Sequence, residues 1–483
     1  MMEQSVIIPA ETTKKEMEVN EVNKLLIEIH QFNHLCYDLD ETQRREKFNK
    51  LHNRVKEIRK LISEMSREEK DKTDTKILRT QLPTFSWAYY GFSIKELVQD
   101  IVAIYRDIFE TKIKEINDRF FPLPPRTRYR KVLFASERLN RFSSVLRDRG
   151  LIIKALCEDP DIVVDVMTNL PLQEEIKHLF TKVNQIIPFT DNLDKNIQIV
   201  GNGRYDVIVF PDLHMDGRTS FMSLCRLAPL HLTTYGHSDS SGSADYFITS
   251  KWFEPDNYQD NYAEKTIMLS SLNTFYSKTT TEEQKNKFKS GASFNLVAKN
   301  NYYLCSASPF KLGKEMIEIF KGIIIGDPNS RIILTKLSDR WDNPLFEVLV
   351  KEMGELIDRI IFMPRLSTLD LMNLNSLVKV NLEGIPFGNL NTSLECFELG
   401  LPVIVMAGNK INNRFTYGLY KKMGIESAYC ANSVKEYIDL AIKIGTESTE
   451  EHNKRRIELI GKSECLFREE QSIEDWKSII KSL

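Results

Sequence analysis

Long apolar runs, paired cysteines and an excess of either charge are all missing from this chain. No stretch reaches the roughly 20 apolar residues that a bilayer span needs, and the opening MMEQSVIIPAETTKKEMEV lacks the apolar segment of a secretory leader. The expected location is therefore the cytoplasm, with no membrane span. The seven cysteines (Cys36, Cys157, Cys225, Cys305, Cys396, Cys430, Cys465) are odd in number, scattered and never spaced as CxxC, which argues against a disulfide framework and a zinc site. They read as small reduced core residues. Lys and Arg total 66 against 68 Asp and Glu, and a formal charge of −2 supplies no global field for nucleic acid or an anionic membrane. Recognition must come from a local site. No GxGxxG or Walker loop is present, which removes the usual support for nicotinamide or ATP chemistry, and no helical repeat of about 34 residues is evident. Two Asp-x-Asp triplets occur, Asp38-Leu39-Asp40 and Asp159-Pro160-Asp161, both in turn-like positions away from the motifs below. No metal and no cofactor are expected.

What is present is a globular composition, 42% hydrophobic and 28% charged, spread over 483 residues, which is too many for one core. From Thr12 to Phe120 apolar residues recur every three or four positions, as in VNKLLIEIHQFNHL, FNKLHNRVKEIRKLISEM and IKELVQDIVAIYRDIFETKIKEI, which predicts a helical region over 1–125. The proline-rich FPLPPRTRYR, from Phe121 to Arg130, ends it. Short apolar runs then alternate with helical stretches: KVLFA, DIVVDVM, YDVIVF, LHLTTY, ADYFIT, YYLCSA, SRIILT, RIIFM, LVKVNL and LPVIVM. This alternation predicts parallel sheets with crossover helices. The polar stretch TTTEEQKNKFKSGAS, from Thr279 to Ser293, divides the runs into two lobes, taken as 126–285 and 286–483. Ligands of open parallel sheets sit at the carboxyl ends of the strands, so two facing lobes place the site in the cleft between them.

The stretch KVNLEGIPFGNLNTSLECFELGLPVIVMAG, Lys379 to Gly408, reads as strand, loop, helix and strand. A helix opening at Asn389 to Thr392 presents unpaired amide hydrogens and positive partial charge, which suits a diphosphate. Glu395, about one turn in, is placed to accept hydrogen bonds from a ribose diol. Asn and Thr are also ordinary N-caps, and an early Glu also compensates the helix dipole. Lys311, in YLCSASPFKL, follows a predicted strand end. His237 follows LHLTTY in a Gly/Ser/Asp loop, and its near-neutral pKa suits either proton transfer or substrate orientation. His214, in PDLHMDGRTS, lies at another strand end.

PFGNLN, Glu395 and LGLPVIVMAG resemble the donor loop of the family 41 glycosyltransferases, which include the nucleocytoplasmic O-linked N-acetylglucosamine transferases and the bacterial adhesin-modifying N-glucosyltransferases. The bacterial branch fits better, because Pro386 to Asn391 matches its P-F-G-N-x-N spacing. Glu395 stands where the family usually has Asp. RLAPLHLTTYGHSDSSGSADYFIT (Arg226 to Thr249), YLCSASPFKL and YGLYKKMGI (Tyr417 to Ile425) are similar to further family segments in the same order. The resemblance implies the GT-B fold, two facing Rossmann-like lobes with an N-terminal α-helical domain, the last helix returning to the first lobe. It implies inverting, metal-independent transfer of a hexose or N-acetylhexosamine from a UDP-sugar to Asn or Ser/Thr of a polypeptide. Lys311 would carry the leaving charge. Gly388, Asn389, Asn391 and Thr392 would hold the diphosphate, Glu395 the ribose, with Arg365 also on the donor side, and His237 would face the sugar or acceptor.

The first-strand segment ASERLNRFSSVLRD departs from the family, offering Ser143, Ser144, Arg147 and Asp148 where histidines are common. Ser144, Arg147, Asp148 and His214 are the acceptor-side candidates. A polysaccharide or lipid acceptor, or a non-catalytic adaptor partnering another transferase, is the alternative.

Overall fold

The computed structural model describes residues 19–24, 26–28, 37–72, 87–122, 129–235 and 240–483. Two sheets organise them, and every strand pairing within them is parallel. The first contains β1 (Arg130–Ala135), β2 (Ile162–Thr168), β3 (Gln185–Pro188), β4 (Val207–Phe210), β5 (Leu230–Thr234), β6 (Tyr246–Ser250) and β7 (Lys265–Leu269), in the order β3-β2-β1-β4-β5-β6-β7. The second contains β8 (Asn301–Cys305), β9 (Ser330–Thr335), β10 (Ile360–Met363), β11 (Val380–Leu382) and β12 (Val403–Ile404), in the order β10-β9-β8-β11-β12. All ten apolar runs are strands. The two strands that the runs did not announce, β3 and β7, are the edges of the first sheet. Their residues are largely exposed or half-buried, so they carry no continuous apolar signal.

Strand β1 shows how the first sheet is covered. Its side chains alternate between faces, and Leu133 and Ala135 join one buried cluster while Val132 and Phe134 join another. The first of these clusters extends into helices α1 (Glu41–Glu64), α2 (Lys95–Ile108) and α3 (Glu110–Phe120). Helix α1 is capped by Asp40 in a capping box with Gln43 and buries Phe48, Leu51, Val55, Ile58 and Ile62 along one stripe. The N-terminal helices therefore continue the core of the first lobe. They also reach the second lobe. Arg44, 2% exposed, makes two bonds of 2.9 and 2.7 Å to Glu315, and the Tyr89 ring lies 4.8 Å from Phe310 and 4.6 Å from Phe387.

Helix α4 (Ser144–Leu156) lies on the opposite face of the first sheet. In the second lobe, helix α5 (Asn391–Glu398) follows β11 and helix α6 (Phe415–Met423) follows β12. The final helix, α7 (Glu470–Ser482), packs against α4, with the buried Trp476 ring 6.2 Å from Phe134. The chain between the lobes is pinned where the Thr279 and Thr280 amides donate to Glu398 at 2.5 and 2.9 Å. The two Asp-x-Asp triplets are local: Asp40 caps α1, and Asp159 pairs with Lys481 at 2.8 Å. Among the described residues no helix is long and apolar enough to cross a membrane.

Candidate active site

Strand β8 ends at Cys305, and the following loop turns through a short 3-10 helix at Pro309–Lys311, with Pro at the start where a missing N–H costs nothing. This turn aims Lys311 at the loop before α5. Its Nζ donates to the Gly388 carbonyl at 3.1 Å and to Asn389 Oδ1 at 3.2 Å, and lies 4.9 Å from the Phe387 ring centre. Desolvation lowers the Lys311 pKa to about 8, opposed by the nearby Glu383 carboxylate. Helix α5 opens after Leu390 with no side-chain cap on its first amides, so the partial positive charge at its start is available to an anion.

Beneath this loop lies a carboxylate that the motifs did not single out. Glu383, 2% exposed just past β11, accepts the Asn389 amide at 2.8 Å and the Thr416 hydroxyl, which also reaches the Asn389 carbonyl at 3.0 Å. Burial pushes the Glu383 pKa up to about 7 against the pull of Thr416, Asn389 and Lys311. Gly388 makes the close approach possible. A Cβ there would sit 3.1 Å from both the carboxyl carbon and Oε1 of Glu383, so this part of the loop before α5 tolerates no side chain without moving.

The facing wall is α4, capped by Ser143, whose Oγ accepts the Val145 amide at 3.1 Å. Ser144, Arg147 and Asp148 share one face of this helix and, with Phe142, line a cavity of about 430 Å³ together with Tyr89, Lys311, Gly388, Asn391 and Thr392. Arg147 crosses the cleft and forms an ion pair with Glu395, which is 3% exposed. Burial pushes the Glu395 carboxyl up and Arg147 pulls it back. Asp148 is 7% exposed, and burial pushes its pKa up to about 6 while Arg149, Arg147 and the Asn391 side chain oppose the shift.

Most of the sequence candidates converge here, and the exceptions have structural reasons. Arg147, expected on the acceptor side, is held by Glu395, expected on the donor side, because one turn of α4 faces α5 across the cleft. His214 is 1% exposed; its Nε2 lies 2.9 Å from the Ser241 carbonyl, desolvation lowers its pKa to about 4, and it does not line the cavity. Arg365 is exposed just past β10, the edge strand farthest from β11 on its side of the sheet, and is also absent from the lining. His237 lies outside the described residues. Tyr89 reaches the cavity from a distant part of the sequence. Its only signal was the aromatic density of Trp87-Ala88-Tyr89-Tyr90 in an otherwise charged region. Two other motif residues are structural: Arg226 pairs with Asp245 at 2.7 and 3.0 Å, and Asp245 also accepts the His231 amide, tying β5 to β6.

No family model matches the chain. It is 24% identical over 281 residues to the tomato protein named probable UDP-N-acetylglucosamine–peptide N-acetylglucosaminyltransferase SPINDLY, an alignment spanning 55% of this chain and 29% of that one. It is 22% identical over 289 residues to the UDP-glucose:protein N-beta-glucosyltransferase of Actinobacillus pleuropneumoniae, spanning 56% of this chain and 43% of that one. The chain thus matches less than half the length of these relatives. Among solved structures, a mutant O-GlcNAc transferase of Thermobaculum terrenum aligns with TM-score 0.65 at 15% identity, covering 96% of this chain and 97% of that one. Anabaena HepE, solved with UDP and glucose, aligns with TM-score 0.50 at 12% identity over 74% of this chain and 100% of that one. The architecture is accordingly the α/β GT-B fold, and the relatives matched over more than half the chain are named as UDP-sugar-dependent protein glycosyltransferases, in keeping with the resemblance to family 41.

Proposed function

We propose that this chain is an inverting, metal-independent glycosyltransferase that moves a hexose or N-acetylhexosamine from a UDP-sugar to Asn or Ser/Thr of a polypeptide in the cytoplasm. The observation that carries the proposal is the Lys311 ammonium set 3.1 Å from the Gly388 carbonyl at the start of α5, on the wall of an interlobe cavity. A diphosphate at that helix start would meet free amides, the Asn391 and Thr392 side chains and one cation. Negative charge that develops on a departing diphosphate is stabilised by donors and cations already in place. Glu395 is the acceptor for a ribose diol, and a bound nucleotide would share or replace its pairing with Arg147.

The polypeptide acceptor and the sugar classes follow the names of the relatives. Calorimetric titration with UDP, UDP-glucose, UDP-N-acetylglucosamine and GDP tests the donor half. Binding of uridine nucleotides in preference to GDP is expected, and failure to bind any UDP-sugar overturns the proposal. Mass spectrometry of polypeptides co-expressed with the chain tests the acceptor half. Hexose recovered on a polysaccharide or lipid, with none added to any polypeptide, would instead assign the acceptor to that class.

A further inference from the structure

The cavity brings a cation and a helix start to the donor side, but transfer also requires something to remove a proton from the incoming nucleophile. Among the described residues that line it, Asp148 is the one carboxylate, and no histidine is among them. Its Oδ1 is buried without a hydrogen-bond partner, an unusual state for such an oxygen, and Asn391 Oδ1 across the cleft is in the same state. The backbone of Asp148 is held in place, since its carbonyl accepts Thr274 Oγ1 at 2.9 Å and Arg149 Nη1 at 3.2 Å. The groups that act on the carboxylate are Arg147 and Arg149 from its own helix, Asn391 from α5, and the buried Tyr235 and Tyr276, which follow β5 and β7. The arginines favour its ionised form, and burial keeps it basic enough to take a proton.

We infer that Asp148 is the general base of the acceptor side, with its carboxylate receiving the proton of the attacking N–H or O–H. This rests on the donor proposal above. In the step, the bond from the nucleophile to the anomeric carbon forms while the bond from that carbon to the diphosphate oxygen breaks. The electron pair of the broken bond stays on the diphosphate beside Lys311, and the nucleophile's proton passes to Asp148 and then to solvent. Because the ionised carboxylate is the active form, the rate rises as pH rises through about 6.

Hydrolysis of UDP-glucose and UDP-N-acetylglucosamine by the full chain, with water as the nucleophile, tests the assignment without a known acceptor. Asp148→Asn is expected to lower hydrolysis at pH 8 by about 100-fold or more and to abolish the acid limb near pH 6. Its UDP affinity, measured by calorimetry, should stay within about threefold of wild type, since RT ln 3 is under 1 kcal/mol. Asp148→Glu should recover part of the rate and restore an acid limb, which a purely structural role would not do. An Asp148→Asn protein that keeps the wild-type rate or its acid limb overturns the assignment while leaving the donor site standing. A wild-type chain that binds no UDP-sugar overturns both. An acid limb lost in His237→Ala but kept in Asp148→Asn would transfer the role to His237.

Discussion

The two walls of the cleft are built on different terms. On the second lobe, Lys311, Asn389 Oδ1, Glu383 and Thr416 satisfy one another at short distances and hold the loop before α5, with Asn389 Nδ2 and Asn391 Oδ1 left unpartnered. On the first lobe, the Asp148 Oδ1 atom is unpartnered and Phe142 is 69% exposed at the cavity edge. An ammonium and a carboxylate already held by their neighbours suit one fixed chemical group, because they need no reorganisation when charge develops. A wall with unspent hydrogen-bonding capacity suits a ligand that brings its own donors. Arg147 is the link between the two, rooted in the first lobe and paired with Glu395 in the second.

The sharpest way to break the contrast is Lys311→Ala. With the cation gone, turnover of a UDP-sugar should fall by about 100- to 1000-fold, the usual loss for an electrostatic stabiliser of developing charge, whereas Lys435→Ala on the surface should leave it unchanged; its side chain is 85% exposed. Equal rates in the two variants would remove Lys311 from the site. Arg147→Ala comes next. It leaves the nearly buried Glu395 without its partner, and unfolding in denaturant should show a loss of about 1–3 kcal/mol, partly recovered by saturating UDP if the ribose takes the vacated carboxylate.

A smaller effect separates the walls by pH. Lys311 is charged below about 8 in the empty site, and a diphosphate favours the charged form. Affinity for UDP should therefore be full below pH 8 and decline above it by at most about tenfold per pH unit. Titrations at pH 7 and pH 9 that give the same affinity would show that Lys311 does not meet the phosphates. Phe142→Ala marks the lower end of the scale: a side chain this exposed should change stability by no more than about 0.5 kcal/mol, and any larger shift in the thermal midpoint would mean that the first-lobe wall is better packed than its exposure indicates.

The fold was legible wherever burial is two-sided. Strands β1, β4 and β8 lie inside their sheets and carry unbroken apolar stretches, Val132 to Ala135, Val207 to Phe210 and Tyr302 to Cys305, while the edge strands β3 and β7 read as loops because solvent accepts half of what they present. The site was legible where one segment carries it, as in Pro386 to Thr392. It was not legible where the contact is made between distant segments. Glu383 looked like a strand-end residue until Asn389 and Thr416 closed around it, and His214 looked available until the chain after β4 turned it inward onto the Ser241 carbonyl.

By itself the sequence determined the alternation of strands and helices, the absence of any apolar run long enough for a membrane, and the Gly-Asn turn that opens α5, because each depends on the local pattern of burial and backbone freedom. Only the tertiary structure decided that Arg147 meets Glu395, that Tyr89 enters the cavity from the N-terminal region, and that Asp148 lines it with one carboxylate oxygen buried and unpaired. Those facts depend on how two sheets and the helices that straddle them approach one another, and residues 248 positions apart acquire a relationship only when packing brings them within reach.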